Sequence, residues 1–563
     1  MSLFEDILHA RGLDTPERRR LFLEPDYVSS RHDPFLLPDM KQAVDRLVDA
    51  RKNQEKITIY GDYDIDGLTA STLLMDAFES FGFASLDVFI PNRFIEGYGL
   101  TVEAVEKIAA AGAKLIVTVD CGSLSEKEII RANELGVDVI VTDHHNVAPV
   151  QPPAVAVINP KRLLQDYPNE YENYILKDHS SYKGKLYPFL DLAGVGVAFK
   201  LVQALQTQLE GLPDGQEKWL LDLVALGTVC DIVTLVDENR ANVFWGLKVM
   251  SQTRRPGLRA LMAVAGVDPK RVDARSLGFS LGPRMNAAGR LETAQYALDM
   301  LVATNREVAF ERAHHLDEMN RARRADQDRI FDEAKIQAEV YIDDPVLVLS
   351  ASGWSHGIIG IVAAKILEKY QKPTFVLEEI GEESKGSARS YGDFSAADAI
   401  RVADDIITKG GGHKMAAGVT LPTVNIAAFR QRVNDFYRQQ KLVDQAALLL
   451  PKADATAEFS EVTEQLVSQL STLEPFGSGN PQPILTSTNL TVLGQRRMGS
   501  DGQHVKLQLR DTRDATLSML AFSAPEHFFV EVGQMVNVWY QPDINEWNGR
   551  RTVEGRLLHL EVA

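Results

Sequence analysis

"KITIYGDYDIDGLTA", residues 56–70, combines a short apolar run, a turn and the start of a helical pattern. Residues 57–60 are β-branched or aromatic, which is typical of a buried strand. A Gly-Asp turn ends this strand, and the residues after it have the spacing of an amphipathic helix. The stretch therefore predicts a strand that passes directly into a helix, with Asp62, Asp64 and Asp66 at the junction.

The same order of elements recurs as far as residue 160. Helical patterns at 101–112 and 124–136 each end in glycine, and the apolar runs 114–120, 137–143 and 154–160 read as further strands. Strands that alternate with helices are joined by right-handed crossovers, which place the strands parallel to one another. The sequence thus predicts an α/β domain built on a parallel sheet.

Acidic and histidine side chains follow the strands at the point where each one ends. Because the carboxyl ends of parallel strands lie along one edge of the sheet, these side chains should converge there. So many carboxylates would repel one another in a partly desolvated cleft, and divalent cations would relieve the repulsion. Mn²⁺ or Mg²⁺ suits a set of Asp oxygens with one or two His nitrogens. The side chains expected to converge at this edge of the sheet are Asp62, Asp64, Asp66, Asp120, Asp143, His144 and His145.

A further acid follows the apolar helical pattern "WLLDLVALGTVCDIVTL" (219–235). Asp231 emerges just past this helix, either as a capping or loop carboxylate or as another ligand, and its apolar setting favours the second interpretation. Cys121 and Cys230 adjoin proposed ligands. Buried apolar thiols are a better interpretation of these cysteines than a zinc site, since a strand residue next to a ligand points to the opposite face.

Bulk properties restrict the class of protein. With 563 residues, the chain should contain three or four domains, and 45% hydrophobic and 25% charged residues are typical of soluble globular proteins. We expect neither a signal peptide nor a membrane span, and two cysteines suggest a reducing cytoplasm. The net charge of −18 argues against indiscriminate nucleic-acid binding, although residues 254–290 carry eight Lys or Arg against two Asp and could form a local basic face.

Four motifs occur in the order "GDYDIDGLTA" (61–70), "VDCG" (119–122), "DHH" (143–145) and "GTVCDIV" (227–233). Together they resemble the motifs of the DHH phosphoesterase superfamily. The rest of the chain resembles one branch, the RecJ family of single-stranded-DNA-specific exonucleases, through "LGPRMNAAGRLE" (281–292), "GWSHGIIGIVAAKI" (353–366), "KGSARS" (385–390), "GGGHKMAAGVTL" (410–421) and "LEPFGSGNPQPIL" (473–485). The chain departs from the family pattern at "VDCGS", where many members have Asp-Asn-Gly, and in the tyrosine-rich stretch 165–187, which reads as a surface insertion.

The resemblance implies an α/β multidomain architecture. Residues 1–300 would contain an N-terminal region, the parallel-sheet DHH domain and the interdomain motif, and 301–340 a long connecting helix. A smaller α/β domain of the DHHA1 type would cover 341–440, and an OB-fold β-barrel 451–563. The segment 305–340 lacks Gly and Pro and is largely polar, which predicts a solvated helical spacer whose His314 and His315 have no metal role.

Residue roles also follow from the resemblance. Asp120 would bridge two ions, with Asp66, His144 and Asp231 completing one site and Asp64 and Asp62 the other. His145 would lie beside the scissile phosphate as a charge stabiliser or proton donor. The catalytic set would be Asp120, His145, Asp64 and Asp66.

Substrate contacts are expected in every domain. "KGSARS" could be a phosphate clamp or only a hairpin turn, and aromatic residues of the barrel could stack on bases or fill its core. The candidates by resemblance for substrate binding are Arg93, His145, Arg284, Asn286, Arg290, His356, Ser387, Arg389 and His413. The barrel candidates are Arg496, Arg497, Phe522, Trp539, Tyr540, Trp547, Arg550 and Arg551.

The resemblance implies a two-metal exonuclease that removes nucleotides from the 5′ end of single-stranded DNA during recombination and repair. Its implied partners are a single-strand-binding protein and a repair helicase, and a monomer is expected. Three alternatives stay open at this point: a phosphodiesterase acting on short oligonucleotides or cyclic dinucleotides, a catalytically inactive DNA-binding scaffold, and a small-molecule pyrophosphatase.

Overall fold

Two units divide the chain in the structure, a computed structural model that describes residues 2–97, 99–170, 186–440, 448, 450–547 and 549–563. The first unit comprises Met1–Asp317 with Pro451–Ala563, and the second comprises Glu318–Leu450. Within the described ranges, every helix is too short or too polar to cross a bilayer.

The first unit begins with three helices and a parallel sheet flanked by helices. Residues of β1, β3 and β4 are almost wholly buried, because helices cover both faces of the sheet. In chain order these elements are α1 (Leu3–Ala10), α2 (Pro16–Leu23), α3 (Met40–Lys52), β1 (Lys56–Gly61), α4 (Ile65–Ser80), β2 (Ser85–Phe89), α5 (Val102–Ala110), β3 (Leu115–Val119), α6 (Glu126–Glu134), β4 (Asp138–Thr142), β5 (Ala156–Ile158) and α7 (Leu163–Asp166).

The sheet has the order β2-β1-β3-β4-β5, and every neighbouring pair is parallel. The predicted parallel sheet is therefore confirmed. The sequence analysis missed β2, since Ser85 and Asp87 interrupt its apolar residues. This strand lies at an edge of the sheet and is only partly buried, so it does not need a continuous apolar run.

A mainly helical region completes this part of the first unit. A π-helical turn, Leu277–Leu281, leads directly into the helix that carries the interdomain motif. The helices are α8 (Gly194–Gln206), α9 (Leu221–Cys230), α10 (Asp237–Met250), α11 (Pro256–Ala265), α12 (Ala274–Ser276), α13 (Gly282–Leu291), α14 (Gln295–Leu301) and α15 (Arg306–Val340).

The long helix α15 begins in the first unit and ends in the second. It is less solvated than the sequence analysis expected, because Asp317, Asn320, Arg323 and Gln327 are all buried. Arg323 donates hydrogen bonds to Asn320 and Gln327 of the same helix, so the polar groups satisfy one another along it. The predicted long helix is present, but its solvated character does not hold at these four residues.

The second unit is an α/β domain with a mixed sheet in the order β6-β7-β8-β10-β9. Strands β6 and β7 are parallel, and the other pairs are antiparallel. Its elements after α15 are β6 (Leu347–Ser352), α16 (Ile359–Tyr370), β7 (Thr374–Ile380), β8 (Glu383–Arg389), α17 (Ala396–Arg401), β9 (Lys409–Gly412), β10 (Ala416–Pro422) and α18 (Ile426–Gln439).

The last part of the first unit is a closed five-stranded barrel. Strands β12, β13, β14, β16 and β15 pair in that order, and β12 also pairs with β15, which closes the barrel. The elements are β11 (Ala455–Thr456), α19 (Glu464–Ser471), β12 (Leu485–Met498), β13 (His504–Arg510), β14 (Thr516–Ala521), β15 (Met535–Trp547) and β16 (Arg550–Val562). The predicted OB-type barrel is confirmed.

The N-terminal helix packs into the core of this barrel. Leu3, Ile7 and Leu8 of α1 belong to the same apolar cluster as the buried residues of β12–β16. Arg11 adds a hydrogen bond of 2.9 Å to the carboxylate of Asp454. The barrel is therefore completed by residues from the other end of the chain.

A buried arginine fixes the segment that enters the barrel. Arg240 of α10 donates to the carbonyl oxygens of Phe22, Leu473, Glu474 and Pro475 at 2.8–3.3 Å. It is almost fully buried, and burial lowers the pKa of its guanidinium to about 10. One side chain of α10 thus ties the N-terminal region to the segment that enters the barrel.

The tyrosine-rich stretch 165–187 lies mostly outside the described residues, which resume at 186. Its first residues, 165–170, are exposed, as expected of a surface insertion, whereas Leu186 and Tyr187 at its end are buried and do not fit that prediction. The Tyr187 hydroxyl donates to Glu238, which also pairs with the buried ammonium group of Lys200. The pairing satisfies groups that would otherwise be buried without partners.

Candidate metal centre and substrate-binding residues

Three aspartates follow β1, with Asp62 and Asp64 in a tight turn and Asp66 in the first turn of α4. Asp64 caps the helix, since its Oδ1 accepts hydrogen bonds from the N–H groups of Asp66 (2.9 Å) and Gly67 (3.2 Å). A β-carbon on Gly67 would lie 2.6 Å from the backbone nitrogen of Asp62. The turn therefore requires glycine at position 67, and it brings three carboxylates to one strand end.

Asp120 follows β3 with a left-handed backbone, at φ +61°. Its N–H donates to the carbonyl oxygen of Thr142 at 3.0 Å, which extends the pairing of β3 with β4 by one residue. Non-glycine residues rarely adopt this conformation, and it persists where the surroundings fix it. The strained turn sets Asp120 at the centre of the carboxylate cluster.

The amino terminus of α8 holds Asp66. The N–H groups of Gly194 and Val195 donate to the two oxygens of this carboxylate at 2.5 and 2.8 Å. A β-carbon on Gly194 would lie 2.8 Å from the Cβ of Asp120 and 2.9 Å from Oδ2 of Asp66. The sequence analysis missed this contact, because no motif marks the start of α8.

His144 lies among three of the predicted ligands. Its Nε2 is 3.1 Å from Oδ1 of Asp120, 3.6 Å from Oδ2 of Asp231 and 3.9 Å from Oδ2 of Asp66. Burial, followed by the charge of His145, lowers the pKa of His144 to about 4. The imidazole is therefore neutral near pH 7, which is the form that binds a metal ion.

Asp143 has a different part in the cluster. Its Oδ1 accepts hydrogen bonds from the backbone N–H groups of His144 and His145 at 2.7 and 3.0 Å. The same oxygen lies 2.9 Å from Nδ1 of His145. Its Oδ2 accepts a hydrogen bond from the N–H of Ser123. Burial alone would raise its pKa, but the hydrogen bond and charge of His145 hold the pKa well below the ordinary value. These contacts use the Asp143 oxygens to position the loop and His145.

His145 is more exposed than His144. Burial opposes its protonation, but the hydrogen bond and charge of Asp143 outweigh this and raise the pKa of the imidazole. Its Nδ1 also lies 3.7 Å from Oδ1 of Asp120. A protonated imidazole at the mouth of a carboxylate cluster is suited to contact a phosphate oxygen.

The cluster fits divalent cations. Oδ1 of Asp62, Oδ1 of Asp120, Nε2 of His144 and Oδ2 of Asp231 are buried, and none has a hydrogen-bond partner among the residues that the structure describes. His144 and Asp120 come within 3.1 Å, but without hydrogen-bond geometry. Burying such atoms is costly unless something binds them, and a cation would do so.

Three groups of ligand atoms lie at this place, each with its atoms within 4.8 Å of one another. Asp62, Asp64 and Asp120 form the first group, and Asp66, His144 and Asp231 form the second. The third group, Asp120, His144 and His145, shares one residue with each of the others. Burial raises the pKa of Asp62, Asp66, Asp120 and Asp231, and the charges of neighbouring aspartates raise it further. Cations would offset both effects.

A second layer holds the loop that carries Asp231. Asp231 follows the last residue of α9, and Thr234 lies three residues after Asp231. The carboxylate of Asp191 accepts hydrogen bonds from the N–H and hydroxyl groups of Thr234. Asn239 donates to the carbonyl oxygen of Asp191 at 2.6 Å. Asp191 was not predicted, because it lies in a segment without a motif.

The two cysteines pack away from the ligand groups. Cys121 is buried in an apolar cluster with Tyr60, Val139 and Val141. The thiol of Cys230 is 3.7 Å from the carbonyl oxygen of Leu277. Burial raises the pKa of both thiols, which disfavours the thiolate that zinc requires. This agrees with the interpretation of apolar thiols.

The predicted substrate residues of the first unit differ in their surroundings. Arg93 stacks on the ring of Tyr63, next to Asp62 and Asp64, with its guanidinium carbon 4.5 Å from the ring centre. Arg284 is engaged inside the protein, with bonds to Asp317 (2.9 Å) and to the carbonyl oxygen of Ser280 (2.6 Å). Asn286 and Arg290 are half-buried on α13. Arg284 therefore has a structural part that the sequence did not reveal.

Part of the basic stretch 254–290 is also structural. Arg255 forms ion pairs with Asp76 and Asp222 in the interior. Arg254 lies over the ring of Trp219, 3.8 Å from its centre. The stretch is thus not one solvated basic face.

The second unit brings three predicted residues to the start of α16. A β-carbon on Gly360 would lie 3.0 Å from the Arg389 guanidinium and 3.4 Å from the Ser387 hydroxyl. His356 precedes α16, and its Nδ1 lies 3.0 Å from Glu378. Burial lowers the pKa of Arg389. His413 is exposed and directly follows the edge strand β9. It is not grouped with Arg389 by a contact among the described residues.

The barrel candidates fall into two classes. Tyr540 is fully buried in the barrel core, so of the two interpretations open for the barrel aromatics it fits core packing and not base stacking. Phe522 is exposed and contacts the ring of His504, and Trp539 packs beside His559. The arginine candidates Arg496, Arg497, Arg550 and Arg551 are exposed. The side chain of Trp547 lies outside the described part of the chain.

Family models match all three domains. The DHH family N-terminal domain matches residues 56–228, the DHHA1 domain matches 343–439, and the RecJ OB domain matches 453–559. The matched order is the one expected from the sequence motifs.

Relatives match over nearly the whole chain. The single-stranded-DNA-specific exonuclease RecJ of Bacillus subtilis is 36% identical over 98% of this chain, which spans 66% of that protein. The Escherichia coli protein of the same name is 33% identical, with 92% of this chain and 89% of that protein covered. The crystal structure of RecJ from Thermus thermophilus in complex with Mn²⁺ has a TM-score of 0.82 at 28% identity and covers all of this chain and 76% of that chain. The chain belongs to the RecJ family of single-stranded-DNA-specific exonucleases.

Proposed function

We propose that this protein hydrolyses single-stranded DNA from its 5′ end with two divalent cations, Mn²⁺ or Mg²⁺, and that it acts in DNA recombination and repair. The observation that carries the proposal is the buried cluster of ligand groups around Asp120 and His144, in which four polar atoms have no hydrogen-bond partner among the described residues. The names of the relatives support the substrate class.

Asp120 would be shared by the two ions. Asp66, His144 and Asp231 would hold one of them, and Asp62 and Asp64 the other. Two bound cations supply Lewis acidity, which activates a water molecule and stabilises the leaving oxygen in a phosphoryl displacement. The amides of α8 fix Asp66 and the strained turn fixes Asp120, so both carboxylates are held in place before an ion arrives.

His145 would act on the phosphate itself. Its raised pKa keeps the imidazole protonated closer to neutral pH, and Asp143 holds Nδ1 in place. The outer ring nitrogen can therefore donate a proton or a hydrogen bond to a phosphate oxygen. Arg93, beside the same cluster, would orient the strand by its positive charge.

The other domains would guide the strand. In the second unit, Ser387, Arg389 and His356 surround the start of α16, a place suited to a terminal phosphate, and His413 would add a contact from its exposed turn. Arg284 would act indirectly through its bonds to Ser280 and Asp317, whereas Asn286 and Arg290 would contact the strand. The proposed domain limits are 1–300, 301–340, 341–440 and 451–563.

Protein partners and location are proposed from the resemblance alone. They are a single-strand-binding protein and a repair helicase, met by a monomer in the cytoplasm. The exposed arginines of the barrel, with Phe522 and Trp539, would bind DNA by charge and stacking.

A strand-degradation assay tests the proposed function. The protein is incubated with Mn²⁺ and an oligonucleotide that carries a 5′ phosphate and a 3′ label, and a blunt duplex of the same sequence serves as the structural control. We expect 3′-labelled products to shorten with the single strand and not with the duplex. Asp120→Ala should abolish the reaction, whereas Asp87→Ala, at an exposed position on β2, should retain it.

Other outcomes would identify a different activity. An intact single strand together with hydrolysis of dinucleotides or cyclic dinucleotides would indicate a small-substrate phosphodiesterase. Turnover of pyrophosphate alone would indicate a pyrophosphatase. DNA binding without hydrolysis in the presence of Mn²⁺ would indicate a scaffold.

A further inference from the structure

The residue after Asp231 has an unusual backbone. Ile232 adopts φ +64°. Among the described non-glycine residues with positive φ, it is the one that has a β-branched side chain. Its side chain is also 73% exposed, although it is apolar. A β-branched residue in this conformation is a genuine outlier that costs free energy, and such outliers cluster at ligand-binding sites.

Hydrogen bonds on both sides hold this conformation. The N–H of Ile232 donates to the carbonyl oxygen of Val229 at 3.3 Å. Thr234 is bound by Asp191, and the N–H of Leu235 donates to the carbonyl oxygen of Ser478 at 2.7 Å. The exposed isoleucine is therefore presented by a fixed loop.

A second exposed apolar residue lies on a neighbouring element. The π-helical turn Leu277–Leu281 contacts the end of α9, just before this loop, through the bond from the Cys230 thiol to the carbonyl oxygen of Leu277. Phe279, in the middle of this turn, is 71% exposed, and Arg275 lies 5.5 Å from its ring centre. Single π-helical turns occur frequently at functional sites.

From these two features we infer that Ile232 and Phe279 form a nucleobase-binding site beside the metal centre. The inference rests on the proposed function and deepens it. A phosphate held by a cation at Asp231 would bring the attached sugar and base close to Ile232, because Ile232 is the next residue along the chain. An aliphatic and an aromatic surface suit this ligand, since every base has an apolar face whatever its sequence.

Paired substrates test the site. Each protein is assayed with Mn²⁺ on a 5′-phosphorylated single strand and on the same strand with its first two bases removed, so that the phosphates and sugars are unchanged. The variants are Ile232→Gly, which also relieves the strained backbone, and Phe279→Ala, which leaves the Asp231 loop intact. The control is Val28→Ala, an exposed apolar position that is 70% accessible and lies in the N-terminal region.

The result is read as the ratio of kcat/KM on the two strands. The wild type and Val28→Ala should prefer the strand with bases by about tenfold, which matches the typical value of one stacked base. Either variant should bring the ratio close to one. Each protein's rate on the strand without bases serves as its own reference, so a general loss of activity does not change the ratio.

Three outcomes would overturn the inference. A wild-type ratio near one would show that no base is recognised at the strand end. A ratio that both variants leave unchanged would show that the bases bind elsewhere. In the third outcome, the wild type hydrolyses bis(p-nitrophenyl) phosphate, a diester without bases, but neither DNA strand. This result would overturn the proposed function as well as the inference, so it can be told apart from the first two outcomes.

Discussion

Gly194→Ala should weaken metal binding through a single added carbon atom. In the structure, this carbon would lie 2.8 Å from the Cβ of Asp120 and 2.9 Å from Oδ2 of Asp66. Ordinary van der Waals contact begins near 3.4 Å, so the two carboxylates would have to move apart from α8 by about 0.6 Å. Metal-ligand distances tolerate a change of only about 0.2 Å.

We therefore expect the affinity for Mn²⁺ to fall by about 10- to 100-fold, the usual effect of disturbing groups behind metal ligands. Overpacking should also cost about 1–3 kcal/mol of the free energy of unfolding in the absence of metal. Calorimetric titration of the metal-free protein with Mn²⁺ measures the affinity, and urea unfolding measures the stability.

Gly196→Ala is the matched control on the same helix. Its added carbon would lie 3.4 Å from the nearest atom of Leu192, at the limit of ordinary contact. Alanine also favours helix more than glycine does, so this variant should bind Mn²⁺ normally. An unchanged affinity in Gly194→Ala, or an equal loss in both variants, would refute the argument that Gly194 keeps space for the carboxylates.

Two further predictions concern the proposed proton donor His145 and the buried Arg240. In Asp143→Asn, the neutral amide no longer stabilises the imidazolium of His145, so the pKa of His145 should fall. The alkaline limb of the pH–rate profile should therefore move to lower pH. An unmoved limb would contradict the proposed role of His145 as an acid. Arg240→Met removes bonds to four backbone carbonyls and should lower the free energy of unfolding in urea by about 3 kcal/mol or more. Arg254→Met, which removes an exposed guanidinium from an aromatic ring, should cost about 1 kcal/mol or less, and equal losses would argue against the carbonyl contacts.

The sequence predicted that these side chains converge because parallel strands impose a common edge. Asp62, Asp120 and His144 each follow a strand, so the strand pattern alone brought them together. Asp231 was less certain from the sequence, since a helix end carries no such rule. The structure places its oxygen 3.6 Å from His144.

The groups that position the ligands could not be predicted. Gly194 and Val195 act through backbone amides, which any residue other than proline provides, so their side chains give no signal. Asp191 lies in a motif-free segment and binds Thr234, 43 residues away, through a loop geometry that no periodicity encodes. Long-range contacts of this kind depend on the completed fold.

Arginines were the least predictable class. Arg284 and Arg255 look alike in the sequence, but both form ion pairs with buried acids. Composition identifies a positive charge, whereas its partner is set by tertiary packing. Tyr540 illustrates the same difficulty among the aromatics, because its position in a strand fits either face until the register is known.

The packing of α1 into the barrel has a consequence for synthesis on the ribosome. Arg11 and its partner Asp454 are separated by 443 positions, so α1 emerges long before the strands that cover it. At about 5–20 residues per second, this interval is roughly 20–90 seconds. Throughout that time Leu3, Ile7 and Leu8 have no barrel core to enter. The nascent chain therefore presents an unsatisfied apolar helix to chaperones, and the barrel can mature only when the two distant segments meet.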